Sequence, residues 1–204
     1  MIAVILAVIV NALVAYGNED GFFSPGIARL FNTFSYFTIL SNILTGIASY
    51  LIVRRTDLER MWFRVLRLTA LITITITGIV YHTLLRQEWD PEGWALIGDQ
   101  LAHTLVPLMA LIGFVAFGPR GPIDSRSVWL ALTFPAVWAV FTLIRGEIVD
   151  WYPYPFIDVE VHGYGRVFLN MAGIAVVYWL VGTAYRLADG WLTERESRSP
   201  HPVS

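Results

Sequence analysis

Several side chains able to move protons or bind anions lie inside stretches that are otherwise apolar: Thr38, Asn42, His82, His103, Arg145 and Asn170. A threonine hydroxyl is inert as a nucleophile unless a base accepts its proton. Histidine is the usual base, because its unperturbed pKa lies near operating pH. Thr38 and His103 sit on different segments at similar depth, which suits such a pair. Asp99 precedes His103 by four residues, so the two share one helical face. There the acid would fix the imidazole tautomer and stabilise imidazolium. The alternative for Asp99 is a helix cap at the start of its segment. Asn42, one turn beyond Thr38, is a candidate oxyanion donor. His82 is a supporting candidate, shares a face with Gly78 and Arg86, and equally fits a buried histidine satisfied by one neighbour. Arg145 at the rim suits a carboxylate through its planar fork. An ion pair with Glu147, Asp150 or Asp158 would explain it equally well.

These residues must be held by membrane elements. The chain has 204 residues, 56% of them hydrophobic and only 15% charged, against about 25% charged in a soluble domain. Mean hydropathy is +0.59. An all-α integral membrane protein follows. Net charge is −2, which argues against a nucleic-acid partner. With no cysteine, disulfides, thiolate metal sites, thiol nucleophiles and haem attachment are excluded. All basic residues other than histidine are arginine, so no retinal Schiff base can form.

Six stretches approach the length of a span, about 17–25 residues: residues 1–16, 34–53, 65–85, 101–117, 128–144 and 167–185. The first is a minimal span or one whose start is missing. No basic stretch precedes it as in a signal peptide. The polar tail, 188–204, is expected to be disordered. Arg54, Arg55, Arg60 and Arg64 lie between the second and third stretches, and Arg120 and Arg126 between the fourth and fifth. Arg186, Arg195 and Arg198 follow the sixth. The other connections are acidic. Arginine bias in short loops sets topology, so both termini are expected to be cytoplasmic. On that orientation the polar side chains gather toward the outer side, in a multi-pass protein of the cell membrane. Ionisable groups at such depth mark function by default. Thr45, Gly46 and Ser49 read instead as a small-residue packing face.

Three motifs carry a resemblance: Tyr36-Phe37-Thr38-Ile39, His103-Thr104-Leu105-Val106-Pro107 and Trp151-Tyr152-Pro153-Tyr154-Pro155-Phe156. In order and spacing they resemble the androgen-induced six-span membrane family, and in particular its bacterial six-span relatives. The resemblance covers segments two to six. It implies hydrolysis of fatty-acid esters of hydroxy fatty acids, with a membrane-embedded threonine as nucleophile, which carries over to Thr38, and a histidine partner, which carries over to His103. Here the histidine run is one residue shorter before its proline. The Asp99 position is an amide in the animal pattern.

The favoured reading is therefore a threonine-dependent hydrolase of lipid esters, needing no cofactor, in a six-helix bundle with both termini cytoplasmic. Arg145, Tyr36, Asn170 and Tyr154 are assigned to substrate binding, the last within an aromatic, Pro-rich connection over the bundle mouth. Two competitors stand beside it. One is a zinc-dependent lipid hydrolase using His82, His103 and His162 with Asp99 or Asp158. The other is a lipid- or ion-binding transporter or sensor in which His82 and His103 titrate.

Overall fold

A computed structural model describes residues 1–19, 22–54, 60–87, 90–119 and 123–198. Arg55, Arg120 and the end of the tail, 199–204, lie outside the described residues. The described residues form helices and no strand. In order these are α1 (Ile2–Gly17), α2 (Ile27–Thr33), α3 (Phe37–Val53), α4 (Met61–Val80), α5 (Gly93–Gln100), α6 (Val106–Phe117), α7 (Ser125–Ala131), α8 (Thr133–Val149) and α9 (Val159–Arg198). A π-helical turn, Tyr81–Leu85, continues α4, and another, Leu101–Leu105, joins α5 to α6.

Four continuous helical stretches are long and apolar enough to cross a membrane: Met61–Leu85, Gly93–Phe117, Ser125–Val149 and Val159–Arg198. A fifth is available if α2 and α3, bent by 67°, count as one span. The first apolar helix has only 16 residues. At 1.5 Å per residue it reaches about 24 Å, short of a bilayer core of about 30 Å.

The second stretch differs from the expectation of one helix from 34. The chain breaks at Phe34–Tyr36, where Tyr36 is extended. The break leaves the first N–H groups of α3 without intrahelical partners, and Thr38 sits among them. Trp138 of α8 secures the break by donating its indole N–H to the Ser35 carbonyl at 3.0 Å.

The fourth stretch begins earlier than expected, at Gly93. Asp99 is therefore well inside it, and the reading of Asp99 as a helix cap is corrected. Pro107 accounts for the π turn that follows. Proline has no N–H for the His103 carbonyl, and its ring clashes with that carbonyl. The helix accommodates both by widening to a π turn over Leu101–Leu105, closed by Val106 N–H on the Leu101 carbonyl. Gly78 of α4 packs directly on this turn. A Cβ there would lie 3.2 Å from the Pro107 ring and 3.4 Å from the His103 carbonyl oxygen.

The largest buried cluster joins α4, α7 and α9 through Leu68, Ile72, Val128 and Tyr178. Tyr178 donates to the Ala131 carbonyl at 3.1 Å, and Tyr185 shares a 2.8 Å hydrogen bond with Thr75. This packing continues past residue 188, so the expected disorder of the tail is corrected as far as Arg198. Asp189 is buried beside Arg67, Oδ1 to Nη2 at 3.8 Å, and Leu192 packs on the core. The polar residues of this segment are thus partly internal partners rather than a solvated run. At the other end α9 bends at Gly163, whose φ of 70° suits glycine. The aromatic connection packs onto α8 at Gly146, where a Cβ would overlap the Tyr152 ring.

Candidate active site

The break before α3, the π turn after α5 and the connection Trp151–Phe156 meet at one place. Thr38 Oγ1 lies 3.2 Å from His103 Nε2. His103 Nδ1 lies 3.0 Å from Asp99 Oδ1 and 3.1 Å from the Asp99 carbonyl oxygen. Both neighbours of Nδ1 are acceptors, so the imidazole proton belongs on Nδ1 and Nε2 is left to accept from the threonine hydroxyl. The other carboxylate oxygen of Asp99 accepts a short hydrogen bond from Tyr81. The Tyr81 ring also stacks on the His103 ring, centroids 4.0 Å apart and planes 12° apart. The imidazole is thereby fixed on one edge by a carboxylate and on one face by an aromatic ring.

Tyr154 completes the arrangement from the connection. Its hydroxyl accepts from the Thr38 N–H at 3.2 Å and lies 3.3 Å from Thr38 Oγ1. Burial raises the Tyr154 phenol to about 12, against weaker lowering by its hydrogen bonds to Thr38. It is therefore a neutral donor at any physiological pH. With the Thr38 proton directed at His103, the Tyr154 proton can point at Thr38 Oγ1. The result is a polarised chain, Tyr154 to Thr38 to His103 to Asp99, with Tyr81 donating to the same carboxylate from its other side. Positive helix-end charge at α3 adds to it, because Thr38 is the second residue of that helix.

Thr38, His103, Asp99, Tyr36, Tyr154 and Tyr81 all line one cavity of about 520 Å³. Its wall also carries Asn11, Asn18, Arg29 and Asn32. A chamber of this size is within the range of small-molecule sites. Tyr36 stands edge-on to both Trp151 and Tyr154, at 5.5 and 5.8 Å.

Other sequence candidates do not enter it. His82 is exposed, and its Nε2 pairs with Thr104 Oγ1 at 3.1 Å. Its face does turn toward the segment bearing His103, but along the outer flank. Asn42 is fully buried, and its amide hydrogens go to the Thr38 carbonyl at 2.8 Å and the Ala102 carbonyl at 3.3 Å. It pins the helix of Thr38 to the segment of His103 and has no hydrogen left for an oxyanion. Asn170 donates to the Phe156 carbonyl at 2.8 Å, anchoring the connection from below. Among the described residues no three His, Asp or Glu side chains converge as metal ligands, so His82, His103 and His162 are not gathered as the zinc alternative needs.

Arg145 is placed as a strut at the cover of the cavity. Nη2 donates to Asn32 Oδ1 at 2.8 Å, and the guanidinium lies 5.1 Å from the Phe23 ring centroid and 5.2 Å from that of Trp151. It makes no ion pair among the described residues, and Glu147 accepts instead from Tyr164. Arg145→Lys keeps the charge but loses the fork and the flat stack. It is expected to lower stability by about 1–2 kcal/mol, the scale of one cation–π contact plus one charged hydrogen bond. Unchanged thermal unfolding in detergent would remove Arg145 from the cover.

Tyr81, Asn11 and Asn32 were not among the sequence candidates. Asn11 carried a signal, since it is the one amide in an otherwise apolar helix, and its Nδ2 donates to the Gly98 carbonyl at 2.9 Å beside Asp99. Tyr81 and Asn32 carried none that separates them from ordinary interfacial residues. The chain matches no family model, no curated protein and no solved structure.

Proposed function

We propose that the protein is a membrane-embedded hydrolase of lipid carboxylic esters, with Thr38 as nucleophile and His103 as base. The observation that carries this reading is the hydrogen-bonded series Thr38–His103–Asp99 on the wall of the polar cavity. Threonine, imidazole and carboxylate in that order form the activated-nucleophile arrangement, with the base oriented by a third group.

In the first step Thr38 Oγ1 attacks the ester carbonyl carbon, and its proton passes to His103 Nε2. The carbonyl oxygen becomes an oxyanion, for which the Tyr154 hydroxyl beside Thr38 Oγ1 is the nearest donor. The bond to the alcohol oxygen then breaks, and that oxygen takes the proton from His103. An acyl-threonine remains. Water, deprotonated by His103, attacks it, and the released hydroxyl of Thr38 regains the proton. The Asp99 carboxylate, 3.0 Å from Nδ1, balances the imidazolium in both halves.

The same proposal includes six spans, with α1 as the short first one and α2–α3 as the bent second. It places the termini in the cytoplasm and the cavity at the outer leaflet of the cell membrane, as the arginine bias of the connections supports. The hydroxy-fatty-acid type of ester is the substrate class that the three motifs suggest.

A sulfonated fluorophosphonate that does not cross membranes tests chemistry and orientation together. Applied to intact cells, it is expected to modify Thr38, detected by peptide mass spectrometry, and to fail with His103→Ala. Modification only after lysis would reverse the orientation. No modification of Thr38 in the solubilised, folded protein would overturn the nucleophile.

A further inference from the structure

Thr38, Tyr154 and Leu85 also line a second, smaller cavity, to whose wall His103 does not belong. It is a slot of about 80 Å³ walled by Phe37, Ile76, Trp138, Ala139, Ile174 and Tyr178. It is more uniformly apolar than the larger chamber, whose wall sets Asn11, Arg29, Asp99 and His103 among apolar side chains. Apart from Thr38, Thr77, the tyrosine hydroxyls and the Trp138 indole N–H, the side chains on its wall are apolar. It lies where α8 and α9 face each other, and next to its lining residues both helices present exposed aliphatic side chains, Val137 and Val140 on one and Val176 and Val177 on the other. In a membrane those side chains meet lipid.

We infer that this slot receives the acyl chain of the substrate directly from the bilayer, while the alcohol portion occupies the larger chamber. This rests on the hydrolase reading and adds the direction in which the ester lies. Thr38, Tyr154 and Leu85 line both spaces, so an ester carbonyl held at Thr38 directs one substituent to each side. An aliphatic chain in the larger chamber would take water from the Asp99 and Arg29 side chains on its wall, and burying charged groups against hydrocarbon is costly. A polar alcohol in the slot would meet the same penalty in reverse. The volume sets how much chain is enclosed. A dry apolar cavity of about 150 Å³ holds one benzene, so the slot encloses only the first few carbons. The remainder lies between α8 and α9 in lipid. Chain length beyond those carbons is then unselected, whereas bulk near the carbonyl is excluded. After cleavage the alcohol leaves toward water and the fatty acid returns to the membrane.

The test uses the full chain in nanodiscs, with Ala139→Trp and Ile174→Trp to fill the slot and Ala139→Leu as a milder filling. Two p-nitrophenyl esters are compared, the acetate and the palmitate. Filling the slot is expected to lower kcat/KM for the palmitate by about tenfold or more, the scale of steric discrimination in an apolar pocket, and to leave the acetate nearly unchanged. Equal loss for both esters, or no loss for either, overturns the slot. A second arm reads position without turnover. A palmitoyl probe with a diazirine near its carboxyl end is photolysed in the bound state. Adducts on slot residues of α8 and α9 that disappear in Ala139→Trp support the inference, even if no ester is hydrolysed and the hydrolase reading fails. Adducts in the larger chamber, or spread over the lipid-facing surface and insensitive to Ala139→Trp, overturn it.

Discussion

Folded Thr38→Ala and His103→Ala are each expected to lose essentially all ester turnover, and the double variant to lose no more than either alone. Positioned general-base catalysis contributes about 10²–10⁴-fold, and removal of the nucleophile also removes the covalent route. The two groups share one 3.2 Å hydrogen bond, so they act as a unit and their effects do not add. Thr38→Ser should retain measurable turnover, because the hydroxyl survives. Its loss relative to wild type reports the γ-methyl, which fixes χ1 and so holds the hydroxyl toward His103. His82→Ala is expected to stay near wild type, because His82 is exposed and engages Thr104 outside the cavity. The measurement is turnover of a hydroxy-fatty-acid ester in nanodiscs, with folding checked for each variant by thermal unfolding. Wild-type turnover by folded Thr38→Ala would end the mechanism.

The all-helical, apolar character was legible in composition, and Asp99 with His103 was legible in spacing, because residues four apart on a helix share a face whatever surrounds them. The pairing of Thr38 with His103 was legible as shared depth and in the resemblance of the motifs that carry them. The sequence does not say which way a side chain points around its helix, and His82 and Asn170 failed on that count. Asn42 failed differently: its depth was right, but two backbone carbonyls consume its amide hydrogens. The tyrosines were the hardest to read. In a membrane protein a tyrosine belongs by default to the interfacial belt, and only the fold shows Tyr81 on Asp99 and Tyr154 on Thr38. The break before α3 was also hidden, since Phe34, Ser35 and Tyr36 include neither glycine nor proline. The helical tail was hidden because Asp189 reads as solvated until Arg67 is placed beside it.

Asp99→Asn should separate an oriented base from a merely buried acid. The substitution preserves size and both heavy-atom positions, and Tyr81 can still donate to the amide oxygen. The amide nitrogen, however, brings hydrogens to the side of His103 Nδ1, where the carboxylate now accepts at 3.0 Å. Two donors cannot face each other, so the imidazole moves its proton to Nε2. That nitrogen then donates toward Thr38 Oγ1 instead of accepting from it, and the base is gone while the geometry stays. The imidazolium formed during reaction also loses its counter-charge. Together these effects are worth about 10⁴-fold in the corresponding serine triad, and a comparable loss of kcat is expected here. Stability should change little or rise, because burying a neutral amide costs less than burying a carboxylate. Tyr81→Phe acts on the same carboxylate from the other side. It removes one hydrogen bond while keeping the stacked ring, so its effect should be smaller than that of Asp99→Asn. The two orderings can be read together from kcat and thermal unfolding. If folded Asp99→Asn turns over ester at the wild-type rate, Asp99 only fills space beside His103, and the base must be oriented by the Asp99 carbonyl and the Tyr81 ring alone.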